Sequence, residues 1–121
     1  MSARVLIVED EPALIDIFRR ILARAGVVTV DAAMNGRAGL EKARERAYDV
    51  IFSDLMMPEM DGVAMVHSLR AREGPNTNTP VVVVTSFLDE GRWAAKELGV
   101  RYFAKPIRKH QVLTVLRELL G

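Results

Sequence analysis

Val5-Leu6-Ile7-Val8-Glu9-Asp10-Glu11-Pro12 is the stretch from which the fold can be read. An unbroken aliphatic run without polar alternation predicts a strand covered on both faces. Three acids close the run, and Pro12 suits the first turn of a helix. Leu14, Phe18, Ile21, Leu22 and Ala25 then recur at helical spacing as one apolar stripe, and Gly26 stands where a carboxyl cap is expected. The stretch therefore reads as a βα unit with an acidic loop between strand and helix.

The same alternation continues outward. Further strands are expected at residues 27–31, 50–53, 81–84 and 102–104. A second helix should follow Asn35-Gly36 with Leu40, Ala43 and Ala47 inward, and a third should follow Asp61-Gly62 with Met65, Val66 and Leu69 inward. A fourth, over residues 90–98, would turn Ala94, Ala95 and Leu98 inward and leave Trp93 on the polar side. The last places Val112, Leu116, Leu119 and Leu120 together. Five βα units define an α/β fold: a flavodoxin-like doubly wound five-stranded parallel sheet, order 2-1-3-4-5, with five helices. An eight-unit barrel needs about twice the chain. The breaker-rich segment 74–80 reads as a polar loop with no sign of chemistry.

Composition narrows the function. The 121 residues make one domain, with no room inside them for a fused output module. The absence of cysteine removes disulfides, thiol nucleophiles and thiolate metal sites together. A formal charge of +1 is too balanced for a protein that binds polyanions through bulk charge, so no direct nucleic-acid partner is expected. The aliphatic runs are too short to span a bilayer, and the first is closed by acids rather than by a secretory cleavage site. The expected location is cytoplasmic, without a membrane partner.

In open α/β sheets, ligands sit outside the carboxyl ends of the strands, where strand order reverses. After the first strand come Glu9, Asp10 and Glu11; after the third, Asp54; after the fourth, Thr85 and Ser86; after the fifth, Lys105. The second, at the edge, is followed only by Ala32 and Ala33. An acidic run before a helix is by itself a common solvated start. Asp54 changes that reading, because an aspartate ending the buried run Val50-Ile51-Phe52-Ser53 is costly to desolvate without a partner. Carboxylates gathered at one junction repel unless a cation or proton intervenes. All-oxygen ligands favour Mg²⁺ or Mn²⁺ over zinc. Lys105 and Thr85 add the positive charge and hydroxyl donor that a phosphoryl site requires. The physics leaves open which of Glu9, Asp10 and Asp54 would carry a phosphoryl group.

These residues fall into four ordered motifs: Val5 to Pro12; Ser53-Asp54-Leu55-Met56-Met57-Pro58-Glu59-Met60-Asp61-Gly62; Val84-Thr85-Ser86; and Tyr102-Phe103-Ala104-Lys105-Pro106. Together they resemble the receiver domain of two-component response regulators, in particular the single-domain, chemotaxis-regulator-like members, over residues 1–121. The resemblance implies that Asp54 is the phosphoryl acceptor and that Glu9, Asp10, Asp54 and the backbone carbonyl of Met56 hold Mg²⁺. It implies further that Lys105 contacts the phosphoryl group, that Thr85 moves to hydrogen-bond it, and that Tyr102 changes rotamer with it. A cis peptide before Pro106 is part of the same pattern.

The implied function is a phosphorylation-dependent signalling switch, not an enzyme acting on an external substrate. Its donor would be a histidine kinase or phosphotransfer protein. Its output would be a downstream protein or a homodimer, engaged through the fourth helix, fifth strand and fifth helix. The alternatives are a receiver domain from a larger hybrid kinase or regulator, and an Mg²⁺-dependent aspartyl-phosphate phosphohydrolase. The phosphohydrolase would need Asp-x-Asp after the first strand, where this chain has Glu-Asp-Glu. A flavin-binding protein would need a Ser/Thr/Gly-rich phosphate loop there.

Several neighbours have plainer expected roles. Pro58, Asp61 and Gly62 shape a turn, with Asp61 as a helix cap. His67 and His110 are surface residues, and Arg37, Lys42, Arg44 and Arg46 form a solvated face. Glu9 stands where aspartate is commoner, and the apolar Met56 and Phe87 stand where polar side chains can orient attacking water. The short span from Thr85 to Lys105 predicts a shortened or partly unwound fourth helix and following loop.

Overall fold

The computed structural model describes residues 2–27, 29–57 and 59–121. Along it run β1 (Arg4–Val8), α1 (Pro12–Arg24), β2 (Thr29–Ala33), α2 (Gly36–Glu45), β3 (Val50–Ser53), α3 (Gly62–Ala71), β4 (Val81–Thr85), α4 (Leu88–Leu98), β5 (Arg101–Ala104) and α5 (Lys109–Leu120). The strands form one parallel sheet in the order β2-β1-β3-β4-β5. This is the flavodoxin-like architecture that five βα units predict.

Alternation along the strands divides the core. Val5 and Ile7 of β1, with Val50 and Phe52 of β3, face α1 and α5 and pack on Ile15, Phe18, Leu22, Val112, Val115 and Leu116. Leu6, Val8 and Ile51 face the other way, onto Leu40 and Ala43 of α2, Met65, Val66 and Leu69 of α3, and Ala94 of α4. The Phe18 and Phe52 rings meet at a centroid separation of 5.2 Å and clamp α1 to the sheet. Removing a buried ring of this kind costs about 3–5 kcal/mol.

The second strand lies two residues later than periodicity predicts. Gly26 (φ 84°) stops α1, its amide donating to the Ala23 carbonyl while the Val27 amide donates to Leu22. This paired closure of a helix end takes Val27 into the stop and delays the strand to Thr29. Val28 is outside the described residues. Ala32 and Ala33 consequently lie within β2, paired with Ile7 and Val8, rather than after it.

Ala47 is exposed, a correction to its expected inward position. α2 ends at Glu45, and the buried place falls to Tyr48. The cause is Asn76, 1% exposed, whose side-chain amide donates to the carbonyls of Ala43 and Arg46 while its oxygen accepts from the Tyr48 amide. The last turn of α2 is thereby satisfied by the segment expected to be featureless. Arg70 fixes that segment in turn, donating to the carbonyls of Asn76, Thr77 and Thr79.

α4 is neither shortened nor unwound: it runs over 11 residues from Leu88 to Leu98. The short Thr85–Lys105 span is accommodated in the links. Ser86-Phe87 leads in, and Gly99-Val100 leads out, Gly99 making the reversal at φ 66°. Ala94 is buried and Trp93 lies on the polar side, 49% exposed.

Candidate functional site

Register brings the candidate side chains to one edge. Val8 pairs with Ser53, so Glu9 and Asp54 emerge side by side at the carboxyl ends of β1 and β3. The Asp54 amide continues the ladder by donating to the Val8 carbonyl at 3.0 Å. Thr85 pairs with Ala104, and the Lys105 amide donates to the Thr85 carbonyl at 3.0 Å, which carries Lys105 over the same edge.

Glu9, Asp10 and Asp54 each offer a carboxylate oxygen, and these atoms lie within 4.8 Å of one another. Glu9 and Asp54 are buried, at 4% and 7% exposure, and Asp10 is half-buried. Lys105 Nζ lies 2.8 Å from both Asp54 Oδ2 and Glu9 Oε1. The remaining oxygens have partners too: Asp54 Oδ1 accepts from the Leu55 amide at 2.7 Å, and Glu9 Oε2 from the Glu11 amide at 3.1 Å.

Burial raises the Glu9 pKa above its usual value, against the opposing pull of Lys105. Burial also works against charge on Lys105. The hydrogen bonds and negative charges of Asp54 and Glu9 outweigh it and hold the lysine pKa above the ordinary range. A lysine fixed as a cation between two buried acids, with a third beside them, leaves negative charge in excess. An all-oxygen donor set with surplus negative charge suits a hard divalent cation, so the residues present fit Mg²⁺.

The loop after Asp54 is held by short contacts. The Gly62 amide donates to the Leu55 carbonyl at 2.8 Å, and a Cβ at position 62 would fall on the Asp54 carbonyl oxygen. Only glycine permits this approach. Asp61 caps α3 as expected, accepting from the Ala64 amide at 2.9 Å. Pro58, expected to shape the same turn, lies outside the described residues. Met56 and Phe87 are both half-exposed.

Thr85 is fully buried, and its Oγ1 accepts from the Phe87 amide at 3.0 Å. Tyr102 is half-buried on β5. The Lys105–Pro106 peptide is cis, as the motif implied. His67 and His110 are exposed, away from any metal-binding grouping among the described residues. Arg37, Arg44 and Arg46 are exposed as expected, whereas Lys42 is half-buried, and Arg46 pairs with Asp31 at 3.3 Å. Glu9 as a direct partner of Lys105 was not foreseen. The signal was its extra methylene, which lengthens the reach of a residue that is more often aspartate.

An open parallel α/β sheet with a lysine-braced acidic cluster at its carboxyl edge defines a class: flavodoxin-like proteins built around an anionic site at the switch point of the sheet. Within that class, the chain belongs to the response regulator receiver domain family, whose model matches residues 5–117. It is 40% identical over 124 aligned positions to a protein-glutamate methylesterase/protein-glutamine glutaminase of Treponema denticola, covering 98% of this chain and 32% of that one. It is 33% identical to the hybrid signal transduction histidine kinase G of Dictyostelium discoideum, covering 95% of this chain and 3% of the kinase. The chain thus spans at most a third of the length of these relatives. Among solved structures, the receiver domain of the sensor histidine kinase PA1611 from Pseudomonas aeruginosa superimposes with a TM-score of 0.89 at 25% identity, covering 100% of this chain and 99% of that one. That structure has a magnesium ion coordinated in its active-site cleft. Among the described residues of the present chain, no helix is long and apolar enough to cross a membrane.

Proposed function

We propose that this receiver domain accepts a phosphoryl group on Asp54 from a histidine kinase or phosphotransfer protein and signals by a change in its protein-binding surface. The observation that carries the reading is the position of Asp54: a buried carboxylate, 2.8 Å from Lys105 Nζ, that is one of the three acids of the cluster. An Asp54 oxygen attacks phosphorus, the bond from phosphorus to the donor imidazole nitrogen breaks, and the imidazole leaves with that electron pair. Lys105 loses little by the exchange, because its charge passes from a carboxylate to phosphoryl oxygens. Glu9, Asp10, Asp54 and the Met56 carbonyl would hold Mg²⁺, which when bound offsets the negative charge of carboxylates and phosphoryl oxygens together. Thr85 exchanges its bond with the Phe87 amide for one to a phosphoryl oxygen, and Tyr102 follows it.

Reversal requires water to attack phosphorus. The apolar side chains at Met56 and Phe87 offer no hydrogen bond to orient it, which supports a long-lived phosphorylated form. Acting only on its own aspartyl group, the domain is a switch rather than an enzyme for an external substrate. Its output surface is α4, β5 and α5, where half-exposed Trp93 and half-buried Tyr102 supply the aromatic area enriched at interfaces. Its use as a module of a longer kinase or regulator is supported by the small share of its relatives that it spans.

The test is incubation with acetyl phosphate, read by intact mass. One phosphoryl group should add in the presence of Mg²⁺. Labelling undiminished by a chelator would overturn the metal assignment.

A further inference from the structure

Gly91 lies in the first turns of α4, is buried, and is bonded through its amide to the Phe87 carbonyl at 2.9 Å. Glycine weakens a helix interior relative to alanine, so a buried helical glycine requires a local reason. Here the reason is who its neighbours are. A Cβ at position 91 would lie 2.9 Å from Tyr102 Cδ2 and 3.1 Å from Thr85 Cγ2. Neither neighbour can give way freely. Thr85 is fully buried with its hydroxyl engaged by the Phe87 amide, and the Tyr102 ring packs on the cluster that holds Ala94 and Val100. The helix backbone, the end of β4 and the ring of β5 therefore converge on one missing methyl group.

We propose that Gly91 is a positioning residue of the switch. Its bare backbone is the seat that keeps the Thr85 methyl and the Tyr102 ring against α4, and so couples the Asp54 pocket to the half-exposed Phe87, Leu88 and Trp93 surface. The coupling half of this inference rests on the phosphoryl-acceptor reading above; the seat itself does not. A methyl at 91 forces the ring off the helix or the threonine out of its place, and the two side chains then no longer move as one.

The experiment is a double-mutant cycle with Gly91→Ala, Tyr102→Ala and the double variant in the full chain. Gly91→Ala should lower the thermal midpoint more while Tyr102 is present than once Tyr102 is alanine, since the ring contact is then gone and only the 3.1 Å approach to Thr85 Cγ2 remains. NMR shifts of the Tyr102 ring and Trp93 indole are then followed as beryllofluoride is added with Mg²⁺. Gly91→Ala should keep acetyl phosphate labelling and lose at least half of the wild-type shift response. An equal change in midpoint in both backgrounds, together with an undiminished shift response, overturns the proposal. A wild-type protein that gives no beryllofluoride response overturns the acceptor reading and the coupling with it, whereas a non-additive thermal cycle would still uphold the seat.

Discussion

Lys105 shows how one side chain serves both fold and site. With Glu9 and Asp54 each 2.8 Å away, it offsets a concentration of negative charge that the sheet edge could not otherwise hold. Its raised pKa has a consequence for stability. A cation favoured in the folded state stabilises fully below its unfolded value of 10.5, and that contribution is lost as pH rises through the folded value. Tyr48 acts with the same sign. Burial and then its hydrogen bond to Asp31 Oδ2, at 2.7 Å, push its pKa above the ordinary 10.0. The folded chain therefore keeps protons that the unfolded chain releases, and stability should fall as pH rises above about 10. Urea midpoints between pH 8 and about 11 measure this. In Tyr48→Phe the alkaline decline should be shallower. An unchanged decline would remove Tyr48 from the account.

Asn76 governs what happens at the scale of elements. It ties the end of α2 to the entrance of β3, and through Thr79 Oγ1 to the entrance of β4, from a segment without regular structure. Asn76→Ala would orphan a buried amide and two carbonyls. At about 1–3 kcal/mol for each unsatisfied group, the loss should be about 3 kcal/mol or more. Chemical denaturation of the variant checks this, and a loss of under about 1 kcal/mol would mean that water replaces the side chain. The same residue marks where sequence reading stops. Runs such as Val81-Val82-Val83-Val84 declare a strand by themselves, because burial on both faces leaves a one-residue-deep record in the chain. A polar side chain that satisfies backbone groups about 30 positions away leaves no periodic trace. The delay of β2 has a similar origin, as the helix stop at Gly26 takes in Val27. Gly91 carries no signal of its own in the sequence, because Thr85 and Tyr102 meet it only where α4, β4 and β5 come together.

Across the whole molecule, the sheet order makes one site out of residues scattered along the sequence. The acids after β1 and β3 and the lysine after β5 meet, with Thr85 ending β4 at the same edge, because those strands are neighbours. Their order along the chain was legible, since each follows a strand. The geometry was not, because a sequence gives positions after strands and not the distances between them. Of the three acids, Asp54, and neither Glu9 nor Asp10, is proposed to carry the phosphoryl group. Reductive trapping tests this assignment most directly: borohydride converts an aspartyl phosphate to homoserine, and peptide mapping after acetyl phosphate and Mg²⁺ treatment locates the converted residue. Homoserine is expected at position 54 alone, with none formed in Asp54→Asn. Homoserine at position 10, the corresponding reduced product of Glu9, or undiminished conversion elsewhere in Asp54→Asn would contradict the assignment.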